Sequence, residues 1–192
     1  NDLELYEKNK STYEREMENL RTDIANQQEY LDHSIWINMS PYDVCEARAD
    51  LFVSTGYQIM PGMEYQNRDN TDTILQAYQS LLTSSAVLED VAKQVKTEPR
   101  YLEELVEVTI GANQDGQLNR MLTIDVKHTT KEDAEEVLGA FLAHVDDMHD
   151  RIATSIGEHT VSIVNESVSA LVNLDLAELQ RQQTEKLTTL ND

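Results

Sequence analysis

Steps of three and four residues taken alternately from Leu3 land on Tyr6, Lys10, Tyr13, Met17, Leu20, Ile24, Gln27 and Leu31, and most of these positions are apolar. Nearly every residue between them is Glu, Lys, Arg, Asn, Gln or Asp. A 3.5-residue repeat with a stripe this narrow predicts a coiled-coil helix over residues 1–32, with its seam at Leu3, Tyr6, Tyr13, Met17, Leu20, Ile24 and Leu31. A second, weaker seam runs through Leu176, Leu179, Gln183, Leu187 and Leu190, which predicts a helix over residues 173–192. Each helix is too polar to stand alone, and burying the two stripes against each other as an antiparallel pair is the simplest solution. Both patterns run to the chain ends without a stop signal, so the sequence reads as a piece of a longer helical protein.

Residues 33–172 follow other periods and form a separate body. Ser34-Ile35-Trp36-Ile37-Asn38-Met39 is a short β-prone run stopped by Ser40-Pro41, and Cys45–Val53 alternates like a half-buried strand. An irregular stretch follows, punctuated by Gly56, Pro61, Gly62, Asn67 and Asn70. Thr71 or Asp72 can cap a helix bearing Ile74, Leu75, Tyr78, Leu81 and Leu82. Ser84 and Ser85 divide it from a helical piece with Val87, Leu88, Val91 and Val95, and Thr97-Glu98-Pro99 opens a short helix with Thr97 as its cap. Val106, Val108 and Ile110 alternate before an Asn113-Gln114-Asp115-Gly116 turn and a strand from Leu118 to Lys127, which predicts an antiparallel hairpin.

Thr129 to Asp133 then caps a long helix with Ala134, Val137, Leu138, Phe141, Val145, Met148, Ile152 and Ile156 on its buried stripe, and Gly157 ends it. Val161, Ile163 and Val168 mark a last strand, and Asn173 or Asp175 caps the terminal helix. The expected fold is α+β: a small mixed or antiparallel sheet packed on long helices, with the N- and C-terminal helices paired as an antiparallel coiled coil.

Charge narrows the range of partners. The 192 residues hold 15 Lys and Arg against 36 Asp and Glu, a formal net charge of −21. So acidic a chain repels phosphates, which argues against nucleic acid as a partner. No apolar run approaches the roughly 18 to 20 residues that span a bilayer, and Cys45 stands alone with no disulfide or zinc set to join.

Candidate chemistry is sparse. His144 and His149 are five residues apart, roughly 140° around a helix, whereas a zinc helix places two His four apart on one face. Asp115-Gly116 resembles a calcium loop only in that dipeptide, without the alternating acids or the terminal Glu. Cys45 has no adjacent cation to make a reactive thiolate. Glu103-Glu104 and Glu135-Glu136 are ordinary exposed charge, and no Gly-x-Ser-x-Gly elbow or Gly-rich phosphate cradle is present. Tyr57, Tyr65 and Tyr78 flank or follow the irregular stretch, where aromatic faces could serve sugar rings or simple packing. No catalytic residue, cofactor or metal is expected.

Three segments carry a family resemblance: Ala47–Val53, Thr73–Leu88 and Leu122–Val137. Across residues 46 to about 168 the chain resembles the extracytoplasmic domain of Wzz-type polysaccharide chain-length determinants, through hydrophobic patterns and not through a catalytic signature. The resemblance implies a non-enzymatic domain of a membrane-anchored protein on the extracytoplasmic face of the bacterial cell membrane. It further implies a ring-like homo-oligomer that regulates the length or export of surface polysaccharide, with the polysaccharide or its polymerase as partner. In Gram-positive relatives it implies a cytoplasmic tyrosine kinase partner, reached through segments absent from this sequence. The chain departs from that family in lacking both membrane spans and a Pro-rich segment, and in carrying helical coils at its two ends instead of one hairpin in the middle. Two alternatives share these features: a coiled-coil surface adhesin or structural protein, and a glycan-active enzyme. The enzyme would need two carboxylates with opposed environments, roughly 5 to 9.5 Å apart in a cleft.

Overall fold

The structure, a computed structural model, describes residues 2–62, 68–112, 114–116 and 118–191. Helix α1 (Asp2–His33) leads through one turn, α2 (Ile35–Asn38), into strand β1 (Val44–Ser54). Helices α3 (Thr71–Leu82), α4 (Ser85–Gln94) and α5 (Pro99–Glu103) follow, then the hairpin β2 (Val106–Ala112) and β3 (Leu118–His128). The long helix α6 (Lys131–Ser155), strand β4 (Thr160–Leu171) and helix α7 (Leu174–Asn191) complete the chain.

The four strands form one sheet in the order β2-β3-β1-β4, antiparallel at every pairing. With α3 to α5 between β1 and β2, and α6 between β3 and β4, this is the split β-α-β-β-α-β topology of ferredoxin-like domains. The expected α+β class is therefore the fold, and the sheet is purely antiparallel.

Alternation along β1 divides the two faces. Ala47, Ala49, Leu51 and Val53 are buried against Ile74, Leu75 and Tyr78 of α3 and Val137, Leu138 and Phe141 of α6 in one core. Even-numbered residues of β1 face the other way. At the lower end of that face Val44 joins Met39, Leu105 and Leu176 in a second apolar cluster, flanked by Ile35, Trp36 and Leu171. This cluster seats α2 and the start of α7 on the sheet.

Several boundaries differ from expectation. Ser34–Met39 is not a strand: Ser34 Oγ accepts the Ile37 N–H, Asn38 N bonds Ser34 O at 3.3 Å, and Ile37 and Met39 are buried. One helical turn satisfies these backbone groups locally, whereas a strand there would need a partner. Asn70, not Thr71 or Asp72, is the N-cap of α3, and its side chain turns away to donate to Ile156 O at 3.3 Å. Glu98, not Thr97, is the cap position of α5, with Pro99 in the first turn as expected. Thr130 and Asn173 cap as the sequence predicts, the latter by accepting the Leu176 N–H at 3.1 Å, and Ser84, expected only to divide two helices, is the N-cap of α4. Tyr65, Asn67 and Asn113 lie outside the described residues.

Candidate functional site

Helices α1 and α7 form a rod that is seated on the body by specific polar contacts. Gln27 is buried at 6 % exposure, and its Nε2 donates to both the backbone oxygen and the Oε1 of Gln183, each at 3.0 Å. That contact fixes the antiparallel register. Counting outward from it brings Leu187 to the level of Ile24 and Leu179 to that of Leu31, and Leu190 lines a cleft with Asp23, Asn26 and Gln27. Met17, Leu20, Ile24, Leu31, Leu179, Leu187 and Leu190 are half-buried, and Leu176 is fully buried.

The rest of the expected seam is bare. Leu3, Tyr6 and Tyr13 are 70, 65 and 63 % exposed. The cause is length: 32 residues of α1 rise about 48 Å whereas the 18 of α7 rise about 27 Å. Among the described residues none covers Leu3, Tyr6 or Tyr13, so the sequence pattern located the seam but not its cover.

The seat uses polar groups that periodicity did not single out. Gln180 Nε2 donates to the carbonyl oxygens of Ile37 (2.8 Å) and Met39 (2.7 Å), and Asn173 N donates to Pro41 O at 2.7 Å. Ser34 Oγ donates to Glu104 Oε2 at 2.6 Å. Burial, and then a hydrogen bond to the same Glu104, push the Tyr30 hydroxyl up to about 12. Arg100 reaches Glu29 of α1 and Glu98 at the cap of its own helix, at 2.8 Å each, with its guanidinium 4.6 Å from the Tyr101 ring centroid. The only sequence signal for these residues was polarity next to apolar positions, which does not separate a bonded group from a solvated one.

The candidate chemistry is dispersed. His144 Nε2 lies 3.1 Å from Asp90, and His149 belongs to a different cluster. There, Gly157 O can only accept, so His159 carries its proton on Nδ1 (2.9 Å), and its Nε2 accepts the Tyr78 hydroxyl at 2.7 Å. His149 donates from Nε2 to His159 O at 3.0 Å and faces Asp150 with Nδ1 at 3.1 Å, and these two bonds hold its pKa above the ordinary histidine value. Among the described residues no group of three or more His, Cys, Asp or Glu could hold a metal ion. Cys45 is buried, with Sγ 3.8 Å from Thr129 O.

Two carboxylates do have opposed environments. Burial pushes Asp50 up, but hydrogen bonds from Thr123, Asn165 and Arg48 outweigh it and hold the carboxyl below its usual range. Burial keeps Asp125 above that range, against the pull of Arg48 at 3.8 Å. Both flank Arg48 on the face of the sheet that the main core does not use. Two clefts of about 370 and 330 Å³ open at the far end of the sheet, around Thr55, Gly56 and Glu158, and neither is lined by this pair.

No family model matches the chain, and no curated protein sequence is similar to it. Among solved structures it is similar to AtUAH, determined in complex with glyoxylate, at 16 % identity and a TM-score of 0.31 over 78 % of this chain. The match spans 32 % of that protein's length, and at this TM-score it carries no functional argument. Among the described residues no helix is long and apolar enough to cross a membrane.

Proposed function

We propose that this chain is a non-catalytic scaffold on the extracytoplasmic face of a bacterial membrane, where its assembled copies regulate the chain length or export of a surface polysaccharide. The observation that carries the reading is the rod rooted on the ferredoxin-like body. Gln27–Gln183 fixes the register of α1 and α7, and Gln180, Glu104 and Arg100 fix their seat. A helix pair held at both points transmits position, because it sets a distance between the body and whatever lies along the rod.

The Wzz-like pattern of residues 46 to 168 supplies the substrate class, a growing glycan or its polymerase held near a geometric ruler. Membrane spans, and contacts with a cytoplasmic tyrosine kinase, would come from segments outside this chain. The test is to shorten α1 by whole heptads in the full-length protein and measure the polysaccharide length distribution. A shifted distribution is expected, and an unaltered one overturns the reading.

A further inference from the structure

The two edges of the sheet are treated differently. The β2 edge is seven residues long and bulged near Gly111, and the side chain of Gln79 occupies the Val108 carbonyl at 2.9 Å. The β4 edge is twelve residues long, and one residue of the twelve, Glu166, is charged in a chain where 27 % of residues are. Ile163, Val164, Val172 and Leu174, along and just beyond it, are 49 to 65 % exposed. An open strand of this kind, without Lys or Pro, is a template for another strand.

We infer that β4 is the surface through which two copies of this chain pair, antiparallel about a two-fold axis at Val168. A second copy fits this edge because antiparallel self-pairing sets no like charges opposite each other, and although copies carrying −21 each repel over most of their surface, β4 is a long stretch where that repulsion is least. The register follows from the ladder. Lys127 N donates to Leu105 O at 2.8 Å, so Lys127 turns its polar groups toward β2. By alternation Ser167 and Ser169, opposite Arg48 and Glu46, turn theirs toward β1, and Glu166, Val168 and Ala170 turn theirs outward.

Val164 is an extra residue that breaks the strand, which leaves Asn165–Leu171 as the straight run, with Val168 at its centre. Pairing about that centre sets Val168 opposite its own copy, Glu166 opposite Ala170 and Ser167 opposite Ser169, and adds about six backbone hydrogen bonds. The two Glu166 side chains stay roughly 14 Å apart along the strands. The axis is perpendicular to the sheet, so in the eight-stranded sheet both rods are rooted on the same face, where Leu176 packs on Val44. This deepens the scaffold reading, on which its biological purpose rests, by naming where copies meet.

A seven-residue ribbon buries on the order of 700 Å² in total, below the roughly 1,200 Å² of a standard interface, so a weak dimer is expected. Sedimentation equilibrium of this chain from about 10 μM to 1 mM should show monomer and dimer, the dimer share rising with concentration. Ser167→Glu with Ser169→Glu places like charges opposite each other on exposed positions and should weaken association at least tenfold. Ser167→Glu with Ser169→Lys places opposite charges there, each also opposite an opposite charge on β1 (Arg48 and Glu46), and should retain or strengthen it. A chain monomeric throughout, or a dimer indifferent to both double variants, overturns the inference. Because no glycan is present, that failure would leave the rod-shortening result, and with it the scaffold reading, untouched.

Discussion

The amide of Gln27 donates twice to Gln183, once to its backbone oxygen and once to its side chain, in the middle of an otherwise apolar seam. A polar residue at such a position costs stability and specifies alignment, because sliding α7 by one turn leaves the buried amide without a partner. Gln27→Ala should lower stability by about 1 kcal/mol, the worth of a typical buried hydrogen bond. Gln27→Leu combined with Gln183→Leu should retain or raise stability while broadening the register. Urea melts and disulfide capture between cysteines introduced on the two helices would separate these effects.

The uncovered half of α1 should be energetically silent in this chain. Replacing Leu3, Tyr6 or Tyr13 by Ser is expected to change stability by less than about 0.5 kcal/mol, as for other exposed positions. Ile24→Ser, at a half-buried position in the part of α1 that α7 accompanies, should cost about 1 to 2 kcal/mol. Equal losses at Tyr13 and Ile24 in thermal melts would show that the first half of α1 is covered in solution.

At the seat of the rod, Glu104→Ala removes the acceptor for Ser34 and the partner of Tyr30. A loss of about 1 to 2 kcal/mol is expected, with faster amide exchange in residues 29–33. Absorbance titration should show the Tyr30 hydroxyl falling from about 12 toward 10. Because the folded value lies above the unfolded one, the stability Tyr30 contributes is complete below pH 10 and is lost as the pH rises toward 12.

His149 gives a pH dependence near neutrality. Its folded pKa lies above 6.5, so its contribution is complete below that pH and is lost as the pH rises through the folded value. Wild-type protein should exceed His149→Gln in Tm at pH 5.5, and the gap should narrow by pH 8.5. A gap that widens with pH would contradict the proposed donation to His159 and Asp150.

Leu176 is buried at 1 % exposure where α7 meets the sheet, so Leu176→Ala should cost about 2 to 4 kcal/mol. The loss should loosen α7 first, and hydrogen exchange in residues 174–183 should rise before exchange in the β1–β3 ladder does.

Much of the body could be read from period alone. The alternation of Cys45–Val53, the stripe from Ala134 to Ile152 and the capping sequence at Thr130 are local patterns, and each became the element it predicts. Ser34–Met39 failed the same reading because β-branched and aromatic composition does not distinguish a strand from a turn docked on apolar neighbours. Among the polar residues, Gln180, Glu104 and Arg100 look like any solvated side chain in so acidic a sequence. Gln180 reaches Met39, Glu104 reaches Ser34 and Arg100 reaches Glu29 over 141, 70 and 71 positions along the chain, separations that no local pattern encodes.

The hydrophobic period by itself determined that two polar helices bracket an α+β body, since a stripe's width and spacing follow from one residue's relation to the next few. Only the tertiary structure decided how far α7 covers α1, that β1 sits between β3 and β4, and that β4 is left as a long open edge while Gln79 guards β2. These depend on which distant segments share space, where helix lengths, strand order and single buried hydrogen bonds set the outcome.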